Sequence, residues 1–162
     1  MAVVPSPGPV IEYRREFDFP VAPAEIWAAI EDADAFEAWW PWLREFTIDG
    51  GSIHTGSVLR GVVVPPLPYR MRLEIELVRC RRPGLIDARV HGDLEGEAHL
   101  RLGKSTGGTR VEVSWSLEMM QRPMRIASRV ARPLLVRAHD VVVEVTVAGF
   151  RRHLVRAQRE GS

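Results

Sequence analysis

The segment from Pro133 to Arg159 constrains this chain more than any other, because it is long, mostly apolar and helical in period, and it follows an extended run of strand-like sequence. From Leu134 to Gln158 there is no proline, and Gly149 is the only glycine. At a rise of about 1.5 Å per residue, such a helix is roughly 37 Å long, comparable to the width of a small domain. Val136, His139, Val143, Val147, Phe150 and Leu154 recur at steps of three or four and form one stripe. A second row, Ala138, Val141, Val142, Val145 and Ala148, widens it beyond a coiled-coil seam. The β-branched valines lower intrinsic helix propensity, so tertiary packing has to hold the segment helical. A curved sheet wrapped around the helix supplies that packing. The competing reading of Val141 to Val147 is a strand.

The 162 residues suggest one domain, and a hydrophobic content of 46% is enough for a sizeable core. Net charge is +1, which gives no general affinity for polyanions. The distribution is uneven: from Gln121 onward nine arginines stand against Asp140, Glu144 and Glu160, so one end of the fold is expected to be basic. Cys80 is the only cysteine, which excludes an internal disulfide. The first ten residues have neither a basic region nor a continuous apolar one, so they do not read as a signal peptide. Arg137, His139, Asp140 and Glu144 interrupt the best candidate for a membrane span. A cytoplasmic protein, monomeric or homodimeric, is expected.

Residues 1–9 read as a disordered tail, and 10–160 as a single domain. Tyr13, Arg15, Phe17 and Phe19 alternate with Arg14, Glu16 and Asp18 as a half-buried strand. Two short helices follow, Ala24 to Asp32 and Asp34 to Trp39 or Trp40, the second stopped by Pro41. Six period-two segments come next: Phe46–Asp49, Ser57–Val64, Tyr69–Cys80, Leu85–His91, Leu94–Leu102 and Arg110–Met119. Turn residues separate them at Gly50-Gly51, Pro65 to Pro68, Arg82-Pro83-Gly84, Gly92-Asp93 and Thr106-Gly107-Gly108. Short connections imply an antiparallel meander. The expected class is α+β: a curved antiparallel sheet of about seven strands gripping a long C-terminal helix.

Strand parity describes the inside. Tyr69, Met71, Leu73, Ile75 and Leu77 form one apolar phase, Val111, Val113, Trp115, Leu117 and Met119 another, and Leu94, Gly96, Ala98, Leu100 and Leu102 a third. Every carboxylate of these strands falls in the opposite phase. Paired-carboxylate chemistry is therefore not expected. His91 and His99 point outward, and the five histidines lack metal-ligand spacing, so neither a metal nor a cofactor is expected. Cys80 has no base beside it to activate it. Gly107-Gly108 reads as a hairpin turn, not a phosphate loop.

Three stretches carry a resemblance: Pro23-Ala24-Glu25-Ile26-Trp27, Trp39-Trp40-Pro41-Trp42, and His139-Asp140 followed by Gly149-Phe150. Gly92-Asp93-Leu94-Glu95-Gly96, ahead of a strand that ends in a Gly-Gly hairpin, adds a fourth. Over roughly residues 10 to 158 the chain resembles the polyketide cyclase/dehydrase and lipid-transfer (START-like, SRPBCC) superfamily, whose fold the birch-pollen allergens share. The resemblance implies a helix-grip fold with an internal cavity. It implies activity only weakly, because such proteins include enzymes, carriers and ligand sensors.

Candidate ligand contacts are Trp40, Arg60, Tyr69, Met71, Ala98, Trp115, Met119, His139 and Val143. His139 shares the stripe that faces the sheet, where its imidazole either meets a ligand or moves a proton, or is satisfied by a neighbouring strand. Tyr69 is either a core tyrosine or a second polar contact, and these two residues are the catalytic candidates. Arg15 and Arg60 nominally share parity with apolar neighbours and either anchor a ligand carboxylate or phenolate, or lie solvated at a rim. At least one of Trp39, Trp40 and Trp42 is expected at the cavity or its mouth. Arg122, Arg125, Arg129 and Arg132 form a short basic amphipathic segment, either a solvated face or a contact for an acidic carrier protein or an anionic membrane. Nucleic acid is not an expected partner, since no aromatics interleave with these arginines. Two functions fit: a carrier of a hydrophobic small molecule (lipid, quinone, polyketide or aromatic metabolite), and a cyclase, aromatase or dehydratase using the same cavity. A protein-interaction module with a vestigial cavity is a third.

Overall fold

A computed structural model of the chain describes residues 10–66, 69–122, 125, 126 and 132–161. The expected N-terminal tail, the tip of the Pro65–Pro68 loop, and residues 123, 124 and 127–131 of the basic segment lie outside the described residues.

The described residues begin with strand β1 (Val10–Phe19), helix α1 (Pro23–Glu31), a single 3-10 turn (Ala33–Ala35) and helix α2 (Phe36–Trp39). Strands β2 (Leu43–Asp49), β3 (Val58–Val63), β4 (Met71–Arg81), β5 (Leu85–Gly92), β6 (Leu94–Ser105) and β7 (Gly108–Met119) follow, then helix α3 (Arg132–Glu160). The valine-rich stretch of α3 is helical throughout, so the strand alternative does not hold. Pro23 in the first turn and the Glu25 carboxylate, which accepts from the Ala22 N–H at 2.9 Å, open α1.

All six pairings are antiparallel, in the order β1-β7-β6-β5-β4-β3-β2. Successive strands from β2 to β7 pair as hairpins, whereas β1 closes onto β7 across nearly the whole chain, setting Tyr13 opposite Trp115 and Arg15 opposite Val113. The Gly92–Gly96 stretch forms the corner between β5 and β6: Gly92 has φ +112, Asp93 accepts from the Arg72 N–H at 2.7 Å, and Glu95 accepts from the Gly92 N–H at 3.0 Å. Gly96, at φ +152, leaves no room for a side chain, because a Cβ there would collide with the Ser116 carbonyl. Gly96 therefore lets β6 lie against β7 and does not hold open space for a ligand.

Helix α3 is fixed to α2 by close backbone approach and by two indoles. A Cβ at Gly149 would lie 2.5 Å from the Trp39 carbonyl oxygen, so glycine is what lets the two helices meet. Beside it, Trp40 Nε1 donates to the Thr146 carbonyl at 3.1 Å, and Trp42 Nε1 donates to Thr146 Oγ1 at 2.9 Å. Thr146 Oγ1 in turn donates to the Val142 carbonyl at 2.6 Å. The tryptophan-rich turn is thus a clasp between the short helices and α3.

Buried side chains gather in three clusters. Phe19, Val21, Ile26, Ala29, Val111 and Leu154 pack at the C-terminal half of α3. Ala33, Phe36, Leu43, Ile53, Leu77 and Ala88 pack under the short helices. Met71, Val90, Leu94 and Met119 pack with Leu135 near the start of α3. Between them Leu73, Ile75, Ala98, Val113, Trp115 and Leu117, all in the phase that faces the helix, stay only half-buried. Full burial of a large apolar side chain contributes about 1.5–3 kcal/mol, so this row forgoes several kcal/mol of available stabilisation in the ligand-free protein. Among the described residues no helix is long and apolar enough to cross a membrane.

Candidate functional site

The half-buried row meets α3 at an aromatic cluster. Tyr13 of β1 stacks on its cross-strand neighbour Trp115, with ring centroids 4.4 Å apart and planes 19° from parallel. His139 of α3 lies edge-on to both, at 4.9 Å from Tyr13 and 5.5 Å from Trp115. Its Nδ1 turns toward Asp140 Oδ1 at 3.6 Å, longer than a hydrogen bond. The other nitrogen, Nε2, and the Tyr13 hydroxyl are both buried, and neither has a hydrogen-bond partner among the described residues. A buried polar group left unmatched costs about 1–3 kcal/mol, so two of them in one cluster form a place where a polar atom, of water or of a small molecule, would be stabilised.

The sequence reasoning found His139 and Trp115 but not Tyr13. Its phase, shared with Phe17 and Phe19, was visible, but its position against Trp115 depends on the β1–β7 pairing, which no turn signal marks. Among the other candidates, Tyr69, Met71, Ala98 and Met119 come together at one end of the concave face, where Met71 and Met119 are buried and Tyr69 and Ala98 half-buried. Burial raises the Tyr69 phenol above its ordinary pKa. Val143, one turn beyond His139, is buried. Two candidates lie elsewhere. Arg60 pairs in register with Glu74 on the convex face, where its guanidinium binds Glu74 at 3.0 Å and also Asp49. The notional shared parity fails because Leu59 and Ile75, not Arg60, face inward on these strands. Trp40 is held by Thr146 and packed among Phe36, Trp39 and Trp42, so it is part of the clasp rather than of the half-buried row.

The remaining polar clusters sit on the convex face. Burial raises the carboxyl pKa of Asp87, but hydrogen bonds from His99, Arg101 and Arg79 outweigh it and bring the group down to about 2. His91 lies 3.0 Å from Glu95 and 4.0 Å from Glu76. Among the described residues no group of three His, Cys, Asp or Glu could hold a metal ion. Burial, followed by the nearby Glu31, raises the Cys80 thiol above its usual pKa despite Arg82, which suits an inert thiol. Among the described residues, the Tyr13–His139 pair beside Trp115 is where two buried, unpartnered polar atoms meet on the concave face and can exchange protons or hydrogen bonds with a small molecule.

The chain matches the family described as polyketide cyclase / dehydrase and lipid transport over residues 10–157. Solved structures share its architecture at low sequence identity. TTHA0849 from Thermus thermophilus aligns at 16% identity and a TM-score of 0.69, over 92% of this chain and 99% of that one. The di-domain ARO/CYC StfQ of the steffimycin biosynthetic pathway aligns at 12% identity and a TM-score of 0.70, over 94% of this chain and 53% of its own length. Norcoclaurine synthase from Thalictrum flavum, solved with dopamine and hydroxybenzaldehyde, aligns at 13% identity and a TM-score of 0.61, over 92% and 88%. A comparison with curated proteins finds no match. By its match across nearly the whole folded length, this chain belongs to the polyketide cyclase/dehydrase and lipid-transport family.

Proposed function

We propose that the protein binds a hydrophobic small molecule between the sheet and α3, with one polar atom of the ligand hydrogen-bonded by Tyr13 and His139. The observation that carries this reading is the pair of buried, unpartnered atoms, the Tyr13 hydroxyl and His139 Nε2, in an otherwise apolar and aromatic surround. A site with a broad apolar wall and few polar anchors orients a lipid, quinone, polyketide or aromatic metabolite through that single contact. The half-buried row from Leu73 to Leu117 supplies the wall, and its incomplete burial is what a ligand's apolar body would complete.

The same pair favours a second reading, cyclisation or dehydration. A phenol and an imidazole side by side can donate and accept protons at a carbonyl, and a chain folded against Trp115 would gain from proximity alone. The similar structures include the di-domain ARO/CYC StfQ and a norcoclaurine synthase, at identities that speak for the fold only. Native mass spectrometry of freshly purified protein, followed by extraction and identification of any bound molecule, tests both. A 1:1 hydrophobic adduct, recovered unchanged and lost in Ala98→Phe with the melting temperature retained, supports binding. An adduct that is chemically converted on incubation supports the enzyme. Failure of native mass, decanoate and 1-decanol alike to give any complex would overturn both.

A further inference from the structure

From an arginine on the inner phase of β1 we infer that the ligand carries an anionic group, a carboxylate or enolate, at the end of a hydrophobic body, and that Arg15 anchors it. The inference rests on the proposed binding role and specifies the ligand's head group.

Ile11, Tyr13, Phe17 and Phe19 all face the helix side of the sheet, as their packing shows, and the pleat of the strand puts Arg15 in the same phase. On the opposite phase of β1 and β7 each arginine is paired: Arg14 with Glu112 at 3.0 Å, and Arg110 with Asp18 at 3.2 Å and Glu16 at 3.8 Å. Arg15 has no such partner among the described residues. All the aspartates and glutamates of the chain are among those residues, so no acidic side chain elsewhere is left to supply one. A guanidinium on the inward phase without a counter-charge is the arrangement that recognises an anion.

The geometry joins Arg15 to the unpartnered pair. Residues two apart on a strand are separated by about 6.6 Å on one face, and an arginine and a tyrosine reach similar heights above it, so a carboxylate can bridge the two tips. Arg15 is exposed whereas the tips of Tyr13 and His139 are buried, so the three donors run from solvent inward, from Arg15 and Tyr13 on the edge strand to His139 on α3. A charged head held at Arg15 stays partly hydrated, which avoids most of the cost of burying it. Its second oxygen reaches the Tyr13 hydroxyl.

The test is a matched pair of probes, decanoate and 1-decanol, titrated against the protein by quenching of intrinsic tryptophan fluorescence. The two have the same chain length, and both can hydrogen-bond to Tyr13; they differ in charge. The wild type is expected to bind decanoate at least tenfold more tightly, the size of effect a charge-assisted hydrogen bond supplies. Arg15→Gln should remove most of that preference and leave 1-decanol affinity within twofold, Arg15→Lys should restore part of it, and Arg14→Gln, on the outer phase, should change neither. Equal binding of the two probes by the wild type, or equal losses for both in Arg15→Gln, would overturn the head-group assignment while leaving the binding role standing. Binding of neither probe would overturn the binding role and the assignment together. A thermal melt of each variant separates loss of contact from loss of fold.

Discussion

Replacing Tyr13 with phenylalanine should make the ligand-free protein more stable and the liganded protein weaker. The hydroxyl is buried with no hydrogen-bond partner among the described residues, so in the free protein it carries a desolvation penalty that no described protein group offsets. Such a group costs about 1–3 kcal/mol; a gain of about 1 kcal/mol on its removal is the conservative figure, because a trapped water would satisfy part of it. The ring itself stays, stacked 4.4 Å from Trp115, so no packing is lost. For a chain of this size, 1 kcal/mol corresponds to a rise of about 2–4 °C in Tm. In the complex the sign reverses: one hydrogen bond to the ligand is lost, worth about 1 kcal/mol, or roughly a fivefold weaker Kd. Scanning calorimetry of wild type and Tyr13→Phe, with and without saturating 1-decanol, measures both. The variant should melt higher alone and gain less from the ligand. A Tm lowered by more than about 2 °C in the free variant would mean that the hydroxyl is already satisfied, and the case for a waiting polar site would fall.

Two further expectations concern the frame. Gly149→Ala should destabilise the protein even though alanine is the better helix former by about 0.8–1 kcal/mol, since the new methyl lies 2.5 Å from the Trp39 carbonyl oxygen and must push α3 off the Trp40 and Trp42 hydrogen bonds. A loss of about 2 kcal/mol by urea unfolding is expected, against about 1 kcal/mol for Ala148→Gly on the exposed face next to it; a gain from Gly149→Ala would show the contact to be soft. Asp87 has its pKa lowered from an ordinary 3.8 to about 2, so its contribution is complete above pH 3.8 and is lost as the pH falls through 2. Asp87→Asn should therefore cost on the order of 1–2 kcal/mol at pH 7, discounted for partial solvation, and nothing near pH 1.5, a convergence that pH-dependent unfolding curves would show or refute.

Much of this architecture follows from local rules. Period-two segments with turn residues between them placed the six consecutive strands, because each hairpin is specified by residues adjacent in sequence. The width of the apolar stripe on α3 required a concave partner, and His139, Trp115, Met71 and Met119 could be assigned inward from phase alone. What phase could not give was contact across the sheet. Tyr13 and Trp115 are 102 positions apart in sequence and meet in register only because the first strand closes on the last. Arg60 keeps two readings in the sequence, ligand anchor or solvated guanidinium, because the phase of a short strand with a glycine in it is ambiguous until its partner is known; opposite Glu74 it faces out, which agrees with the solvated reading. Trp40 looked like a cavity residue because aromatic content says nothing about where an indole N–H finds its acceptor, here a carbonyl on α3.

The position of the polar group on β1 follows from the same topology. A polar inward residue on a central strand is covered by neighbours on both sides and must find its partner within the protein. On an edge strand one flank is open. β1 is such an edge, and its inward residues pass from Phe19, packed in a core cluster, through exposed Arg15, to Tyr13, whose hydroxyl is buried. The two edges are not equivalent in this respect: β2 at the other end is closed off by α2 and the tryptophan clasp, with Phe36 packed on Phe46 and the Phe46 N–H bonded to Glu37. An amphipathic molecule entering beside β1 would thus meet charge first, then two hydrogen-bonding groups, then the apolar row, in the order that keeps its head hydrated while its body is buried.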